Sequence, residues 1–420
     1  MKSKSRVLVV GTTADYIEWI RQAYPDEALF LTDRSIRQNA QEPEPSGEEE
    51  LLCDLNDSGQ VLSSLKNHLK KWHISLDGIA CFDCESMEMA AELGQRHSLP
   101  YHDVETIKNC RDKYISKFLW QQHNIRCPAS RIVETPDEAA AFFNFIKVPC
   151  VMKPLTGSGS ELVFRCDSPA ECRMAFAEIQ KGLLERRSHR LYKSDSHSAP
   201  SVIIEEFVSG LEYSCDFIIE ENRVEVIRIT RKIHSPHGPF GTIRGYITEA
   251  SLPEEIEQQT FERILLQGAE TLGISRALCM ADFMVCGRDV VLLEMTPRPG
   301  GDCLPYLLRH SMNLDILKLN LDFARQIPVK ISNLQNHKPC AGLRLHARNG
   351  GVLKKIDAKH LSRDSRVLEI HLPRRQGHIV RMPPEDYESW LIGHIIFRPD
   401  ERSLESQYDE LINQLKVEIK

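Results

Sequence analysis

The stretch "ADFMVCGRDVVLLEMTPRPGGD", residues 281–302, decides the fold. Apolar runs on either side of "CGRD" predict two strands folded back on each other as an antiparallel hairpin. With Gly287-Arg288-Asp289 as a three-residue loop, Cys286 pairs with Val290, and counting outward sets Asp282 opposite Glu294. The period of two along a strand then puts Thr296 and Arg298 on the face of Glu294, and Leu293 and Met295 on the other. Two carboxylates side by side repel, and burying a charge without a partner costs several kcal/mol. A divalent cation between them removes both penalties, and oxygen-only ligands suit Mg²⁺ (or Mn²⁺) holding phosphate groups. For an acidic pair standing alone the plainer reading is a rim salt bridge from Glu294 to Arg298 or a neighbouring lysine, so the rest of the chain has to decide.

Working outward, the 420 residues are enough for two to four domains, and 41% hydrophobic with 27% charged residues is ordinary for a folded soluble chain. A net charge of −7, with both signs interspersed, leaves no basic footprint for nucleic acid or an anionic membrane. No apolar run is long enough to span a bilayer, and "MKSKSRVLVVGTT" is too short for a signal peptide, so the expected location is the cytoplasm. Thirteen cysteines, without a framework spacing, fit reduced thiols. Cys81 and Cys84 in "CFDC" have CxxC spacing but no second such pair, and read as buried thiols rather than as a redox motif or half a zinc site.

Strand and helix patterns alternate from "RVLVVG" to "SMEMAAELGQRH", which predicts a βαβ unit with a parallel sheet over residues 1–105. Gly11 follows the first strand, but "GTTADY" lacks GxGxxG, so a tight turn is expected. "RDKYISKFLWQQH" predicts a helix whose apolar stripe is Ile115, Phe118, Leu119 and Gln122, with Lys113 and Lys117 near its start and side. Capping boxes at Thr135-Pro136-Asp137-Glu138 and Ser168-Pro169-Ala170-Glu171 mark two more helix starts. Between them "VPCVMKPLTGSGSELVFRC" reads strand, glycine loop, strand, and "LERRSHRLYKSDSHSAPS" reads as a loop. The short strands and turns after residue 330 suggest a separate small α+β domain over 331–420.

"KPLTGSGS" can supply the other half of a phosphate site. Lys153 closes an apolar strand, and the backbone N–H groups and hydroxyls of Gly157, Ser158, Gly159 and Ser160 can cover phosphate oxygens. It is not a Walker A loop, because the lysine precedes the glycines. In "VIIEEFVSGLEYSCDF" the strand running into Glu205, Glu206, Phe207 and Val208 can present main-chain groups to an adenine edge, with Glu212 near ribose hydroxyls. Taken alone, the first is an ordinary hairpin turn and the second an edge strand.

The ordered set "RDKYISKFLWQQHNIRCPAS", "VMKPLTGSGS", "IEEFVSGLEYSCDF" and "ADFMV…VVLLEMTPRPGGD" resembles the ATP-grasp enzymes over residues 1–330, most of all their L-amino-acid (carboxylate–amine) ligase branch. The resemblance implies an α/β and α+β architecture: a pre-ATP-grasp domain (1–105), an ATP-grasp domain (106–330, lid about 150–210) and a small C-terminal domain (331–420). It implies ATP and Mg²⁺ as cofactors, Lys113 and Lys153 as phosphate-binding lysines and residues 157–160 as the lid loop. Residues 205–208 become the adenine hinge, Glu212 the ribose contact, and Asp282 and Glu294 the metal ligands. Arg298 would hold the substrate carboxylate and its acyl phosphate, with Gly300 and Gly301 allowing close approach and Asp302 closing the "PRPGGD" motif.

Two departures stand out. Thr296 replaces the usual asparagine ligand, and where the branch often has Glu-x-Gly-His-x-x-Pro this chain has Ile243, Gly245, Tyr246 and Glu249. Arg244 there offers a second cation for a further carboxylate or phosphate. The expected reaction joins a small-molecule carboxylate to an amine, releasing ADP and phosphate; no nucleic-acid or membrane partner is expected, and a homodimer is left open. A carboxylating enzyme of the biotin carboxylase or carbamoyl phosphate synthetase kind, or an ATP-binding protein without catalysis, are the alternatives.

Overall fold

The computed structural model describes residues 4–187, 189–192, 201–249, 251–329 and 337–420. Residues 193–200 of the expected loop and the expected boundary at 330/331 lie outside them. The first unit alternates β1 (Lys4–Val10), α1 (Ala14–Ala23), β2 (Ala28–Asp33), α2 (Arg34–Asn39), β3 (Glu50–Cys53), α3 (Ser58–Trp72), β4 (Ile74–Ala80) and α4 (Met87–His97). Its sheet is parallel, in the order β3-β2-β1-β4. α2 and β3 are elements that the sequence pattern does not announce. "ELLC" is too short to announce a strand, and it becomes one because Phe30–Asp33 of β2 offer it an edge. The chain leaves β1 on one side and returns on the other, so the C-terminal ends of β1 and β4 border a switch-point crevice. There Gly11 turns at φ +69°, and a Cβ on it would lie 2.0 Å from Ser86 Oγ, so the turn requires glycine.

α5 (Val104–Arg111) and α6 (Lys113–Gln122) lead into the second unit. The expected stripe on α6 is not the one it buries: Phe118 is exposed, while Lys113, Ser116, Lys117 and Trp120 face inward at i, i+3, i+4 and i+7. The polar stripe goes inside because its groups are satisfied there. Trp120 Nε1 donates to Gly268 O (3.0 Å), and both lysines find acceptors described below.

A four-stranded sheet, order β5-β8-β6-β7, follows from β5 (Ser130–Val133), α7 (Pro136–Ile146), β6 (Cys150–Pro154), β7 (Phe164–Cys166), α8 (Pro169–Glu185) and β8 (Val202–Glu206). Both helices start as their capping boxes predict: Thr135 Oγ1 accepts from Glu138 N–H and Ser168 Oγ from Glu171 N–H.

The largest sheet has eight strands in the order β13-β12-β9-β10-β11-β14-β18-β16. It collects β9 (Leu211–Glu220), β10 (Arg223–His234), β11 (Ile243–Glu249), and, after α9 (Gln258–Leu272), β12 (Ala277–Cys286) and β13 (Asp289–Thr296). After α10 (Leu304–Met312) and α11 (Ile316–Ala324), β14 (Ala341–His346), β16 (Val367–His371) and β18 (Leu391–Phe397) extend it. Among the described residues after 337, β14, β16 and β18 thus continue the large sheet. β11 pairs with β14, and Gly245 allows the approach, since a Cβ there would lie 2.3 Å from Gly342 O. Among the described residues β15 (Gly351–Asp357), β17 (Ile379–Val380) and β19 (Lys416–Ile419) make a small additional sheet, with α12 (Leu404–Gln414) preceding β19. α1, α10 and α11 share one apolar cluster with β1 and the large sheet, which joins the first unit to the second. Among the described residues no helix is long and apolar enough to cross a membrane.

Candidate active site

The hairpin β12–β13 places Asp282 directly opposite Glu294, as counted from the sequence, but by a different route. The turn has two residues, with Cys286 opposite Asp289 and Gly287 at φ +62°, and an irregularity between Asp282 and Phe283 takes up the extra residue, Leu293. Met280 lies opposite Thr296, so Asp282, Glu294 and Thr296 share one face, while Met295 is buried with Leu292 and Phe283 in an apolar cluster. Asp282 Oδ1 and Thr296 Oγ1 are buried with no hydrogen-bond partner. Such orphaned oxygens are costly unless something binds them. Burial raises the Asp282 carboxyl against the pull of Lys232, and Glu212 and Glu294 add to the rise. Burial pushes Glu294 up as well, but Lys113, Lys153, Lys117 and Lys232 outweigh it and hold that carboxyl below its usual range.

These oxygens fit a hard divalent cation. Among the described residues no group of three or more His, Cys, Asp or Glu side chains is placed to hold a metal by itself. A cation here would have to complete its shell with ligand oxygens such as those of phosphates.

The lysines come from three directions. Lys113 Nζ donates to Gly157 O (2.9 Å), which ties the start of α6 to the glycine loop. Within that loop Gly157, Gly159 and Ser160 all have positive φ, and Ser160 packs against Gly241. Lys153, at the end of β6, lies 2.7 Å from Glu205 Oε2, and Lys117 Nζ lies 3.0 Å from Glu205 Oε1 and donates to Leu293 O (2.9 Å). Glu205 is thus a buried carboxylate clamped between two ammonium groups. Burial raises it, yet the two lysines hold it below its usual range. Of the remaining expected hinge residues, Glu206 N–H donates to Ala129 O and Phe207 N–H to Pro149 O, while the Arg165 guanidinium lies 4.3 Å over the Phe207 ring. Val208 follows the end of β8.

Glu212 accepts from Lys232 (2.7 Å) and lies 2.8 Å from His234 Nε2, while Lys232 also lies 2.7 Å from Asp282 Oδ2. Lys232 therefore bridges two residues to which the sequence assigned separate roles.

Beyond β13 the "PRPGGD" loop is held from below. Asp216 Oδ1 accepts from Gly300 N–H (2.8 Å), and Asp216 Oδ2 accepts from Arg228 (2.7 Å), both side chains fully buried. A Cβ on Gly300 would meet Leu304, Arg228 and Asp216 within 3.2 Å, whereas Gly301 has only Arg298 nearby, at 3.8 Å. Asp302 turns at φ +59° with Arg344 Nε 2.6 Å from its Oδ2. Arg298 donates to Cys84 Sγ and Pro299 O. Arg244 is paired with Asp409 of α12 and lies 5.4 Å from the Tyr408 ring centroid.

Sequence reasoning did not single out Lys232, Asp216, Arg228, Arg344 or the part played by Cys84. For Asp216 and Arg228 a signal exists: each is a charge inside an apolar strand run, as Glu294 is. For Lys117 the signal is its i,i+4 spacing from Lys113. Lys232 and Arg344 have none, because their partners arrive from distant strands.

A family model described as an ATP-grasp domain matches residues 146–306. A D-alanine–D-alanine ligase of Acidovorax ebreus is 25% identical over 198 residues, 45% of this chain and 54% of that protein. An uncharacterised protein, y4rH, of Sinorhizobium fredii is 25% identical over 287 residues, 66% of this chain and 56% of its own length. The chain thus spans little more than half the length of these relatives. An L-amino acid ligase from Bacillus licheniformis superposes over 100% of both chains with a TM-score of 0.77 at 19% identity. A phosphoribosylglycinamide synthetase from Anaerococcus prevotii does so with 0.66 at 16%.

Proposed function

From the ATP-grasp fold of this chain and the match of residues 146–306 to an ATP-grasp domain, we propose that it is an ATP-grasp enzyme and an ATP-dependent carboxylate–amine ligase. The observation that carries the reading is the pairing of Asp282 with Glu294, which stands in the field of Lys113, Lys153 and Lys232, beside the unpartnered Asp282 Oδ1 and Thr296 Oγ1. A bound Mg²⁺ would supply charge neutralisation to the triphosphate there, held by Asp282, Glu294 and Thr296.

The chain's own groups do the rest by position and charge. Lys153 and Lys113 would supply cations to the transferring phosphoryl group, and the glycine loop, which Lys113 holds through Gly157 O, would close over it and exclude water. The adenine would lie along residues 206–208, with Glu212 toward the ribose. Arg298 anchors the carboxylate, whose oxygen attacks the γ-phosphorus and expels ADP. The resulting acyl phosphate is attacked by the amine nitrogen, which loses a proton as phosphate leaves and the amide forms. Gly300, pinned by Asp216, keeps the Arg298 loop close to that carbon. Arg244 is taken up by Asp409, so it would reach a further carboxylate or phosphate only when that pair opens.

The test is ADP release across a matrix of carboxylates and amines. Turnover that requires both substrates and falls at least 100-fold in Glu294→Ala and Lys153→Ala is the expected result (roughly the loss of one transition-state charge contact). Turnover unchanged in both variants, or ADP formed with bicarbonate and biotin alone, would refute it.

A further inference from the structure

The "CFDC" loop has no part in the phosphate chemistry of the proposed site. It leaves β4 at the switch-point crevice and brings Cys84, buried to 8% exposure, against Arg298: Nε donates to Cys84 Sγ at 3.2 Å and Nη2 at 2.9 Å. A guanidinium has five N–H donors in a fixed plane. Sulfur takes two of them and Pro299 O takes one from Nη1 (2.8 Å), which leaves one N–H on each terminal nitrogen. Two such donors are what a carboxylate accepts in bidentate fashion. Among the described residues no acidic side chain takes this place: the sulfur fixes the plane of the fork without neutralising its charge.

The thiol is itself held. Asp83 Oδ1 accepts from Ser86 N–H (2.7 Å), and Cys81 Sγ donates to Asp83 O (3.1 Å), which fixes the turn on both sides of Cys84. From outside, Arg190 of the 3-10 turn Arg190–Tyr192 donates to Ser86 Oγ (2.6 Å) and Glu85 O (3.0 Å).

We propose that Cys84 is a positioning residue for Arg298: an uncharged acceptor, supplied by the first unit, that sets the guanidinium plane and keeps its charge available for the carboxylate substrate. The proposal rests on the ligase reading for the identity of the substrate and on geometry alone for the contact.

Two substitutions separate packing from positioning. Cys84→Val keeps the volume and removes the acceptor; Cys84→Ser keeps an acceptor. In Cys84→Val the KM for the carboxylate should rise roughly 5- to 30-fold while the KM for ATP stays within about twofold, and Cys84→Ser should recover most of that loss. In ¹⁵N-arginine NMR of the substrate-free protein, with Arg298→Lys for assignment, the Arg298 Nε–H should exchange faster in Cys84→Val than in wild type or Cys84→Ser. A carboxylate KM unchanged in Cys84→Val, or rising together with the KM for ATP, overturns the positioning role. Should no carboxylate support ADP release, the ligase reading fails by itself, and an unaltered Nε–H exchange in Cys84→Val would then overturn the contact.

Discussion

Glu205→Gln is the sharpest perturbation available, because one buried carboxylate serves two lysines. Glu205 lies 2.7 Å from Lys153 and 3.0 Å from Lys117, with side-chain exposures of 3%, 15% and 0%. At an effective dielectric of about 20 each contact is worth on the order of 5–6 kcal/mol of gross attraction, most of it offset by the desolvation of three ions. Removing the shared anion keeps the desolvation cost and loses the attraction, so the expected destabilisation is about 3–5 kcal/mol. Lys117 has an escape. Burial already lowers its pKa, and without Glu205 it would fall further below its unfolded value. The unfolded chain then binds more protons than the folded one, so the stability of the variant rises with pH and its deficit shrinks as pH climbs toward the ordinary lysine value of 10.5. Urea unfolding followed by circular dichroism at several pH values reads both effects as midpoint shifts at constant slope. A loss below about 1 kcal/mol, or a deficit that grows with pH, refutes the account of a shared buried anion.

Other outcomes follow from single contacts. Burial raises Glu369, but hydrogen bonds from His310 and Arg309 bring it from 4.5 to about 2. Its contribution, about 3 kcal/mol at most, is present above pH 4.5 and lost as pH falls toward 2, and Glu369→Gln should flatten the acid limb of a stability-against-pH curve. Gly11→Ala should cost about 2–4 kcal/mol in urea unfolding, since a Cβ would meet Ser86 Oγ at 2.0 Å from a backbone with φ +69°. ADP should raise the melting temperature with Mg²⁺ and much less with EDTA, by an amount worth about 2.7 kcal/mol at a ligand concentration 100 times Kd. Glu294→Ala should remove the dependence on Mg²⁺ while a direct lysine contribution to ADP binding persists.

Much of the site was legible because it breaks local rules. A carboxylate at the end of an apolar strand, a lysine closing another strand before a glycine loop, and capping boxes at Thr135 and Ser168 are statements about neighbours a few residues apart. The hairpin shows how far such counting reaches. Asp282 does face Glu294, although the loop is one residue shorter than counted and an irregularity in the ladder restores the register. The apolar stripe on α6 misled for the opposite reason. Phe118 fits the helical period but is exposed, because the buried face is chosen by the acceptors at Gly157, Glu205 and Leu293, none of which lies near it in sequence.

The amino-acid order by itself determined most of the elements, the acidic hairpin, the glycine loop and the ordered set of motifs, since each depends on periodicity or turn chemistry within about twenty residues. Tertiary structure alone decided that Glu205 neutralises lysines, that Lys232 joins Glu212 to Asp282, that β14, β16 and β18 extend the same large sheet, and that Arg298 rests on Cys84. Those pairings join side chains up to 214 positions apart. A charge in a sequence declares that it needs a partner, but which partner reaches it is set by how strands and helices pack, where burial makes every unpaired charge costly.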